Sequence, residues 1–281
     1  GIPKKKQYKF NNSSQVSWKT EIDLFYRSLH LKKNLLPSLS DVYSNLKIIN
    51  GIHDSNASYL YFKNSDIKNF TLVSTGTWYI IFNQKTPLKN LNPTLDMLAN
   101  IDVFGKPVPT MRFMGGREYD HLMGVFKISN ETRPINNFSF HEYLIYPSYA
   151  SGGGFSINKI NIGFYEGLNK GQIYYLICLY ISFVINFCLN QMRSSNTIIL
   201  DGPITKNITI MKILSSLRKK QIVLKNKREI GTTLGATNLF NIKKKNKLQT
   251  VVIKKYQNQY LQAIYKNWEQ NLYKKELFRH S

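Results

Sequence analysis

The sequence is poor in acidic residues. Its 281 residues include 16 Asp and Glu against 39 Lys and Arg, which gives a formal charge of +23. Such an excess can mark a protein that binds nucleic acid or an anionic membrane. Here the lysines are scattered through every segment, together with many asparagines, and such scattering indicates a biased composition more than a binding groove. We therefore expect no nucleic-acid partner.

Cysteine is scarce as well. The chain has Cys178 and Cys188 alone, and on one helix they would lie about 15 Å apart, too far for a disulfide. No His or Cys cluster has the spacing of a metal site, and no apolar signal-peptide region follows the polar start of the chain. These features predict a reducing, cytoplasmic location and no metal ligands within the chain.

Charge is also missing from one long stretch, residues 173–189, which reads IYYLICLYISFVINFCL. A run of this length is nearly long enough to span a bilayer. Ser182 and Asn186 interrupt it, however, and Asn190 and Gln191 follow at once. A helix that is apolar all round can equally be the buried helix of a large domain. We therefore predict a core helix and no membrane partner.

The remaining patterns predict an α/β arrangement. Residues 71–83 indicate a hairpin around Gly76, and residues 46–50, Thr197–Leu200 and residues 221–224 indicate further strands. Short helices are expected after Asp54, from Met114 to Val125, after the turn at residues 201–203, and over residues 231–240, where two glycines allow close packing. Residues 84–115 contain four prolines and are predicted to be rich in loops. The Lys- and Tyr-rich tail, residues 241–281, is predicted to form an exposed helix with a basic face.

Three polar turns follow apolar strands in this pattern. They contain Asp54, the sequence Ser74-Thr75-Gly76-Thr77, and Asp201-Gly202-Pro203 with Asn207 one turn into the next helix. Glycine amides, Thr hydroxyls and a helix N-terminus together can hold a phosphate group without lysine. Each turn alone is also ordinary turn chemistry.

Five stretches keep the order found in the C-terminal domain of one family. They are GIHDSNAS, LVSTGTWYIIFN, NIDVFGKPVPTMRFMGGREY, ILDGPITKN and GTTLGATNLF. In these stretches the chain resembles the FGGY carbohydrate kinases, and HDS and STGTW look closest to the rhamnulose, fuculose and xylulose kinases. The resemblance implies an α/β fold, namely an actin-like (RNase H-like) ATPase domain that is the second of the two domains of a sugar kinase.

The resemblance also implies a general base. In this family an Asp at the start of the second domain takes the proton from the sugar hydroxyl that attacks the γ-phosphoryl group, and it matches Asp54. One carboxylate within hydrogen-bond reach of the hydroxyl suffices for this step. Asp54 could instead, or in addition, cap the helix that follows, because Asp is favoured at N-caps. His53 is expected to be a packing neighbour and not a catalytic group.

Nucleotide contacts follow from the same resemblance, and the implied cofactors are ATP and Mg²⁺. The phosphate-contacting turn matches Gly76 and Thr77, and the glycine-led turn beneath the nucleotide matches Gly202. Asn207 falls where an Asn faces the adenine, and Gly116 is a further expected contact. Next to Gly116, Arg117 and Glu118 could simply pair with each other on the surface.

The motif that opens the family's first domain, Asp-hydrophobic-Gly-Thr-Thr/Ser, has no match here. We therefore expect residues 1–45 to lead out of a first domain, 46–240 to form the kinase C-terminal domain, and 241–281 to form the tail. The substrate would be a ketose or similar sugar, and the expected partner is a separately encoded N-terminal half that supplies most of the Mg²⁺ site. The chain alone would then be inactive. The alternatives are a non-catalytic nucleotide- or nucleic-acid-binding module and a decayed gene product.

Overall fold

The structure is a computed structural model that describes residues 52–227, 231–243, 245–255 and 260–278. All of these residues belong to one compact unit, Asn50–Ser281. The predicted strand at residues 46–50 and the predicted leading segment 1–45 lie outside the described residues.

A mixed seven-stranded sheet organises the described chain. The strands are β1 (Phe70–Thr75), β2 (Tyr79–Phe82), β3 (Met97–Ile101), β4 (Pro107–Phe113), β5 (Thr197–Asp201), β6 (Val223–Asn226) and β7 (Thr250–Val252). Their spatial order is β3-β4-β2-β1-β5-β6-β7. β1, β5 and β6 are parallel to one another, and the other pairings are antiparallel. Because β1 and β5 run together, both end at one edge of the sheet, called here the upper edge, and both begin at the opposite, lower edge.

Helices cover both faces of this sheet. They are α1 (Asp54–Lys63), α2 (Gly115–Val125), α3 (Lys170–Gln191), α4 (Ile208–Leu217), α5 (Gly231–Asn238) and α6 (Leu261–Lys274). Side chains alternate along β1, so Leu72 packs with Phe62 of α1 on one face, whereas Val73 belongs to the larger cluster with α3, α4 and α6 on the other. The hairpin β1–β2 and the close packing of α5, where a Cβ on Gly235 would lie 1.7 Å from the Ala57 carbonyl oxygen, confirm the corresponding predictions.

The long apolar helix α3 is the centre of the larger cluster. It starts at a capping box in which Asn169 accepts from the Gln172 amide and Gln172 accepts from the Asn169 amide. It is long and apolar enough to cross a membrane, but 89% of its most apolar 18-residue stretch is buried inside the fold. Cys178 and Cys188 are both buried there as free thiols. The prediction of a buried core helix is confirmed.

Residues 84–115 contain more regular structure than predicted. They form two short 3-10 turns and the antiparallel strands β3 and β4. Pro107 is the first residue of β4, where a strand tolerates proline. Pro109 lies inside the strand, and its carbonyl oxygen accepts from the Asn83 amide at 3.1 Å. Loops make up much of this segment, as predicted, but the two strands were not predicted, because prolines at these positions leave enough ladder bonds for a strand. β6 also begins and ends two residues later than the predicted strand.

The tail is not an exposed helix. Apolar residues of α6 recur at the spacing of a helix face, and the buried set is Leu261, Ile264, Tyr265, Trp268 and Leu272. Trp268 is fully buried, and its indole N–H donates to the Ile145 carbonyl oxygen at 2.8 Å. The lysines occupy the other face of α6, so the prediction was right about the basic face and wrong about the exposure of the helix.

Candidate active site

The first turn of α1 presents Asp54 at the upper edge of the sheet. The N-cap residue is His53, whose Nδ1 accepts from the Ser55 amide and lies 2.7 Å from Asp54 Oδ1. Asp54 itself is the first helical residue, and its Oδ1 accepts from the Ser55 amide at 2.6 Å. The alternative that Asp54 is the N-cap of the helix is therefore wrong, because His53 holds the cap position. The Asp54 side chain is 74% exposed, so its carboxylate is open to a ligand.

The turn between β1 and β2 lies beside it. The Gly76 amide donates to the Trp78 carbonyl oxygen at 3.0 Å, which closes the turn. Gly76 and Thr77 are both exposed. Hydrogen bonds to Thr77 involve its carbonyl oxygen, which accepts from the Gly116 and Arg117 amides at 3.2 and 3.4 Å. The amide and hydroxyl of Thr77 are thus the donors that this turn presents outward.

Thr75 joins this turn to the one that follows β5. Its hydroxyl donates to the Asp201 carbonyl oxygen at 2.6 Å and accepts from the Ile204 amide at 3.2 Å. Gly202 has a φ of +86°, and a Cβ there would lie 2.1 Å from the Thr75 carbonyl oxygen. Only glycine meets both requirements. Gly202 is therefore required for the two turns to lie in contact, whatever they bind.

Gly116 lies in the first turn of α2, and the packing requires glycine at this position too. A Cβ at this position would lie 2.0 Å from the Gly76 carbonyl oxygen. The close approach lets the first amides of α2 reach the Thr77 carbonyl oxygen. The glycine thus fixes the helix N-terminus against the β1–β2 turn.

Asn207 is the N-cap of α4. The prediction that it lies one turn into the helix was wrong. Its Oδ1 accepts from the Ile210 amide at 3.0 Å, and its Nδ2 donates to the Tyr174 hydroxyl at 3.0 Å. The sequence pattern misplaced it because the helix starts at Ile208, after a 3-10 turn over Pro203–Lys206. Burial raises the pKa of the Tyr174 and Tyr119 hydroxyls, so both remain protonated near Asn207.

Two cavities open at the upper edge and share one wall. The larger, of about 990 Å³, is lined by Gly76, Thr77, Gly116 and Asn207 among others. The smaller, of about 350 Å³, is lined by Asp54, Gly76 and Thr77 among others. The structure thus brings five of the six predicted site residues to two adjoining cavities that meet at the Gly76–Thr77 turn. Gly202 lines neither cavity, although the next residue, Pro203, lines the larger one.

Sequence reasoning missed Arg112 and Trp78 in the smaller cavity. The Arg112 guanidinium pairs with both carboxylate oxygens of Asp96, at 2.9 and 3.0 Å, and lies 5.0 Å from the centre of the Trp78 ring. This geometry fixes a cation in the lining of the cavity that Asp54 also lines. A signal was available, because Arg112 stands one residue before the end of a strand that pairs with β2. The prediction of loops over residues 84–115 hid this signal, because it did not include the strand.

Glu118 is not paired with Arg117 on the surface. It is almost fully buried and accepts hydrogen bonds from the Ser148 hydroxyl, at 2.5 Å, and from the Tyr180 hydroxyl. Burial raises the pKa of this carboxyl group, and the two hydroxyl donors act in the opposite direction. The side chain points inward because α2 turns that face onto α3.

Metal ligands were predicted to lie mainly outside this chain. In the described part of the chain, no group of three or more His, Cys, Asp or Glu side chains is placed to hold a metal ion. The site therefore offers an exposed carboxylate, a glycine-containing turn and an adjoining cavity of about 990 Å³, but we assign no metal ligand.

Comparisons with known proteins agree with the family resemblance seen in the sequence. Residues 67–249 match the family described as carbohydrate kinase FGGY, C-terminal domain. A carbohydrate kinase from Novosphingobium aromaticivorans is similar over 79% of this chain and 51% of its own length, with 24% identity and a TM-score of 0.57. A xylulose kinase from Rhodospirillum rubrum is similar over 86% of this chain and 55% of its own length, with 12% identity and a TM-score of 0.59. A gluconate kinase from Lactobacillus acidophilus is similar over 79% of this chain and 50% of its own length, with 12% identity and a TM-score of 0.55.

The chain spans about half the length of these solved structures. At such identities the likeness is one of fold, and it agrees with the predicted actin-like α/β domain. No curated protein matches the sequence significantly.

Proposed function

The chain belongs to the FGGY carbohydrate kinase family through its C-terminal domain, and from that premise we propose that it supplies the general base and nucleotide platform of an ATP-dependent sugar kinase. The observation that carries the proposal is the shared wall of the two upper-edge cavities. The Gly76–Thr77 turn separates a carboxylate on one side from a nucleotide-sized space on the other. Phosphoryl transfer needs that order, with the attacking hydroxyl, the phosphoryl group and the nucleotide in line.

On the sugar side, we assign the proton acceptor to Asp54. Its carboxylate is exposed and lines the smaller cavity, which has room for the reacting end of a sugar. His53 Nδ1 and the Ser55 amide both contact Oδ1, which leaves Oδ2 to accept the hydroxyl proton. Arg112 lines the same cavity, is held by two hydrogen bonds to Asp96, and is suited to orient a polar substrate group.

On the nucleotide side, the Thr77 amide and hydroxyl are the proposed phosphate donors. ATP with Mg²⁺, when bound, supplies the transferable phosphoryl group and neutralises its charge. Gly116 and Gly202 allow the surrounding backbone to close around this turn. Asn207 would face the base, although its amide already serves the cap of α4 and Tyr174, so the contact would come from its exposed surface and from the two tyrosines.

We propose further that these 281 residues alone do not phosphorylate sugar. The chain spans about half of its structural relatives, and in the proposal the rest of the sugar site and the metal ligands come from an N-terminal half. The substrate would be a ketose or a related sugar, and the buried free thiols agree with a cytoplasmic, reducing setting.

A binding and turnover experiment on the 281-residue chain tests both parts. We expect a fluorescent ATP analogue to bind in the presence of Mg²⁺, and we expect a coupled assay with a panel of ketoses to show no sugar-dependent ADP release. Adding an N-terminal half from a related kinase should restore turnover. Thr77→Val should weaken nucleotide binding by about tenfold, since it removes one donor to a charged group.

Two results would contradict the proposal. Failure of the analogue to bind would remove the nucleotide platform, and robust sugar phosphorylation by the chain alone would remove the need for a second half. Nucleotide binding without turnover after complementation would favour the non-catalytic module instead. Thr94→Val is a matched control because Thr94 is on the surface, bonded to Asn92 away from both cavities.

A further inference from the structure

The lower edge of the sheet carries two clefts that the proposed kinase chemistry does not use. One, of about 400 Å³, lies at the starts of β1 and β4 and the end of β2. The other, of about 780 Å³, lies between the end of α3, the end of α4 and the start of β6. Asn196 lines the first and Ser195 lines the second, so the two clefts adjoin at consecutive residues just before β5.

Every charged side chain that lines the two clefts is basic. Six of them are exposed, namely Lys68, Lys85, Lys106, Arg193, Lys219 and Lys220. Among the residues that line the two clefts, none is Asp or Glu. The three ion pairs found within the described ranges involve Asp54, Asp96 and Asp102, and none of them uses these six cations.

Hydrogen bonds from Arg218 hold the floor of the second cleft in place. The Arg218 guanidinium donates to Asn190 Oδ1 at 2.5 Å, to the Ser194 carbonyl oxygen at 2.7 Å and to Gln221 Oε1 at 2.6 Å. These bonds tie the end of α3, the loop before β5 and the start of β6 together. The flanking cations therefore project from a fixed surface.

The dimensions favour an extended polyanion. The lining residues come from the ends of five neighbouring strands, β4, β2, β1, β5 and β6. At a strand spacing of about 4.8 Å, the basic strip is about 19 Å long. The other lining side chains are largely amides, such as Gln84, Asn196 and Gln262, which suit phosphate and sugar oxygens.

We propose that this lower-edge strip binds single-stranded nucleic acid through its phosphate backbone. A flexible strand can follow two shallow adjoining clefts, and the strip offers Phe70 as a half-buried aromatic surface for a base. Because the contacts are to phosphates, binding is independent of sequence and falls steeply with salt. This goes beyond the proposed kinase function and does not depend on it.

The expectation of no nucleic-acid partner came from the scatter of lysines along the sequence. Folding changes that premise, because residues from positions 68 to 220 are gathered at one edge of the sheet. The upper-edge cavities show no such enrichment: their lining includes Arg112, Arg117 and Lys206 but also Asp54 and Asp120.

Fluorescence anisotropy with the full chain and labelled oligo(U) and oligo(dT) of about 15 nucleotides tests the proposal. We expect both oligonucleotides to bind, with a slope of log K against log salt of about −3 to −4. The variant Lys85→Glu/Lys219→Glu/Lys220→Glu should bind at least tenfold more weakly, with a slope of about −1 to −2. It should keep the circular dichroism spectrum and the unfolding midpoint of the parent chain, which shows that it is folded.

The matched control is Lys159→Glu/Lys266→Glu/Lys274→Glu, which makes the same change in net charge at exposed positions outside both clefts. An equal loss of affinity in both triple variants would assign binding to net charge and overturn the proposal. So would tighter binding of a polyglutamate of matched charge, which would point to an acidic protein partner. Retention of affinity and slope in the control alone supports the strip as the binding surface.

Discussion

The two edges of the sheet are built in opposite ways. At the upper edge, turns pack backbone against backbone at distances that only glycine permits, and the charged groups include both signs. At the lower edge, the lining is made of long basic side chains and amides, without a carboxylate among the residues that line the clefts. The six residues of β1 run from one edge to the other, so the edges lie about 20 Å apart.

This difference separates geometry from charge as sources of specificity. A site that positions one phosphoryl group needs fixed donors and a single base, and it gains little from lysines that carry charge without direction. A surface that binds a flexible polyanion needs many cations and tolerates imprecise positions. Mutations at the two edges should therefore have effects of different kinds, which can be separated by experiment.

The largest effect is expected at Asp54. In the kinase assembled with an N-terminal half, Asp54→Asn should lower kcat by about 10²–10⁴-fold, because it removes the proton acceptor. Nucleotide affinity should stay within twofold, since Asn keeps the size of the side chain. Sugar-dependent ADP release and analogue binding measure the two quantities.

The control for this prediction lies toward the lower edge. Asp66 is an exposed carboxylate in the connection from α1 to β1, and Asp66→Asn should leave kcat unchanged. If Asp54→Asn retained most of the activity, the general base would have to be another group, and the two edges would no longer differ in the way described.

A smaller effect is expected from adding one methyl group to α2. Gly116→Ala would place a Cβ 2.0 Å from the Gly76 carbonyl oxygen, so the helix and the turn must separate. We expect the free energy of unfolding to fall by about 1–3 kcal/mol and the affinity for the ATP analogue to fall at least tenfold. Chemical denaturation and analogue titration would show both changes.

The same helix contains its own control. Gly124 has open space around its Cβ position, so Gly124→Ala should raise stability by up to about 1 kcal/mol and leave nucleotide affinity unchanged. If the two alanine variants behaved alike, the close contact between α2 and the β1–β2 turn would not control the site.

Much of the upper edge could be predicted from the sequence, because turn residues act locally. The hairpin at Gly76, the turn at Gly202 and the helix after Asp54 each follow from a few neighbouring residues. The roles of Gly116 and Glu118 could not be predicted, since a clash with Gly76 and a bond to Ser148 depend on how distant segments meet. The lower-edge strip was missed for the same reason, because its cations come together only in the folded sheet.

Glu118 gives the smallest and most selective test, because it lies behind the upper edge, two residues after Gly116. Burial raises the pKa of its carboxyl group, so the folded chain holds this proton more tightly than the unfolded chain does. The contribution to stability is therefore fully present at low pH and is lost as pH rises from about 4.5 through the raised pKa, with a slope of at most about 1.4 kcal/mol per pH unit. Glu118→Gln should remove this slope from the pH dependence of unfolding, whereas Glu142→Gln, at an exposed position, should not. A flat difference between the parent chain and Glu118→Gln across pH 4 to 8 would show that folding does not raise the proton affinity of Glu118, and the buried carboxyl group would then make no pH-dependent contribution to stability.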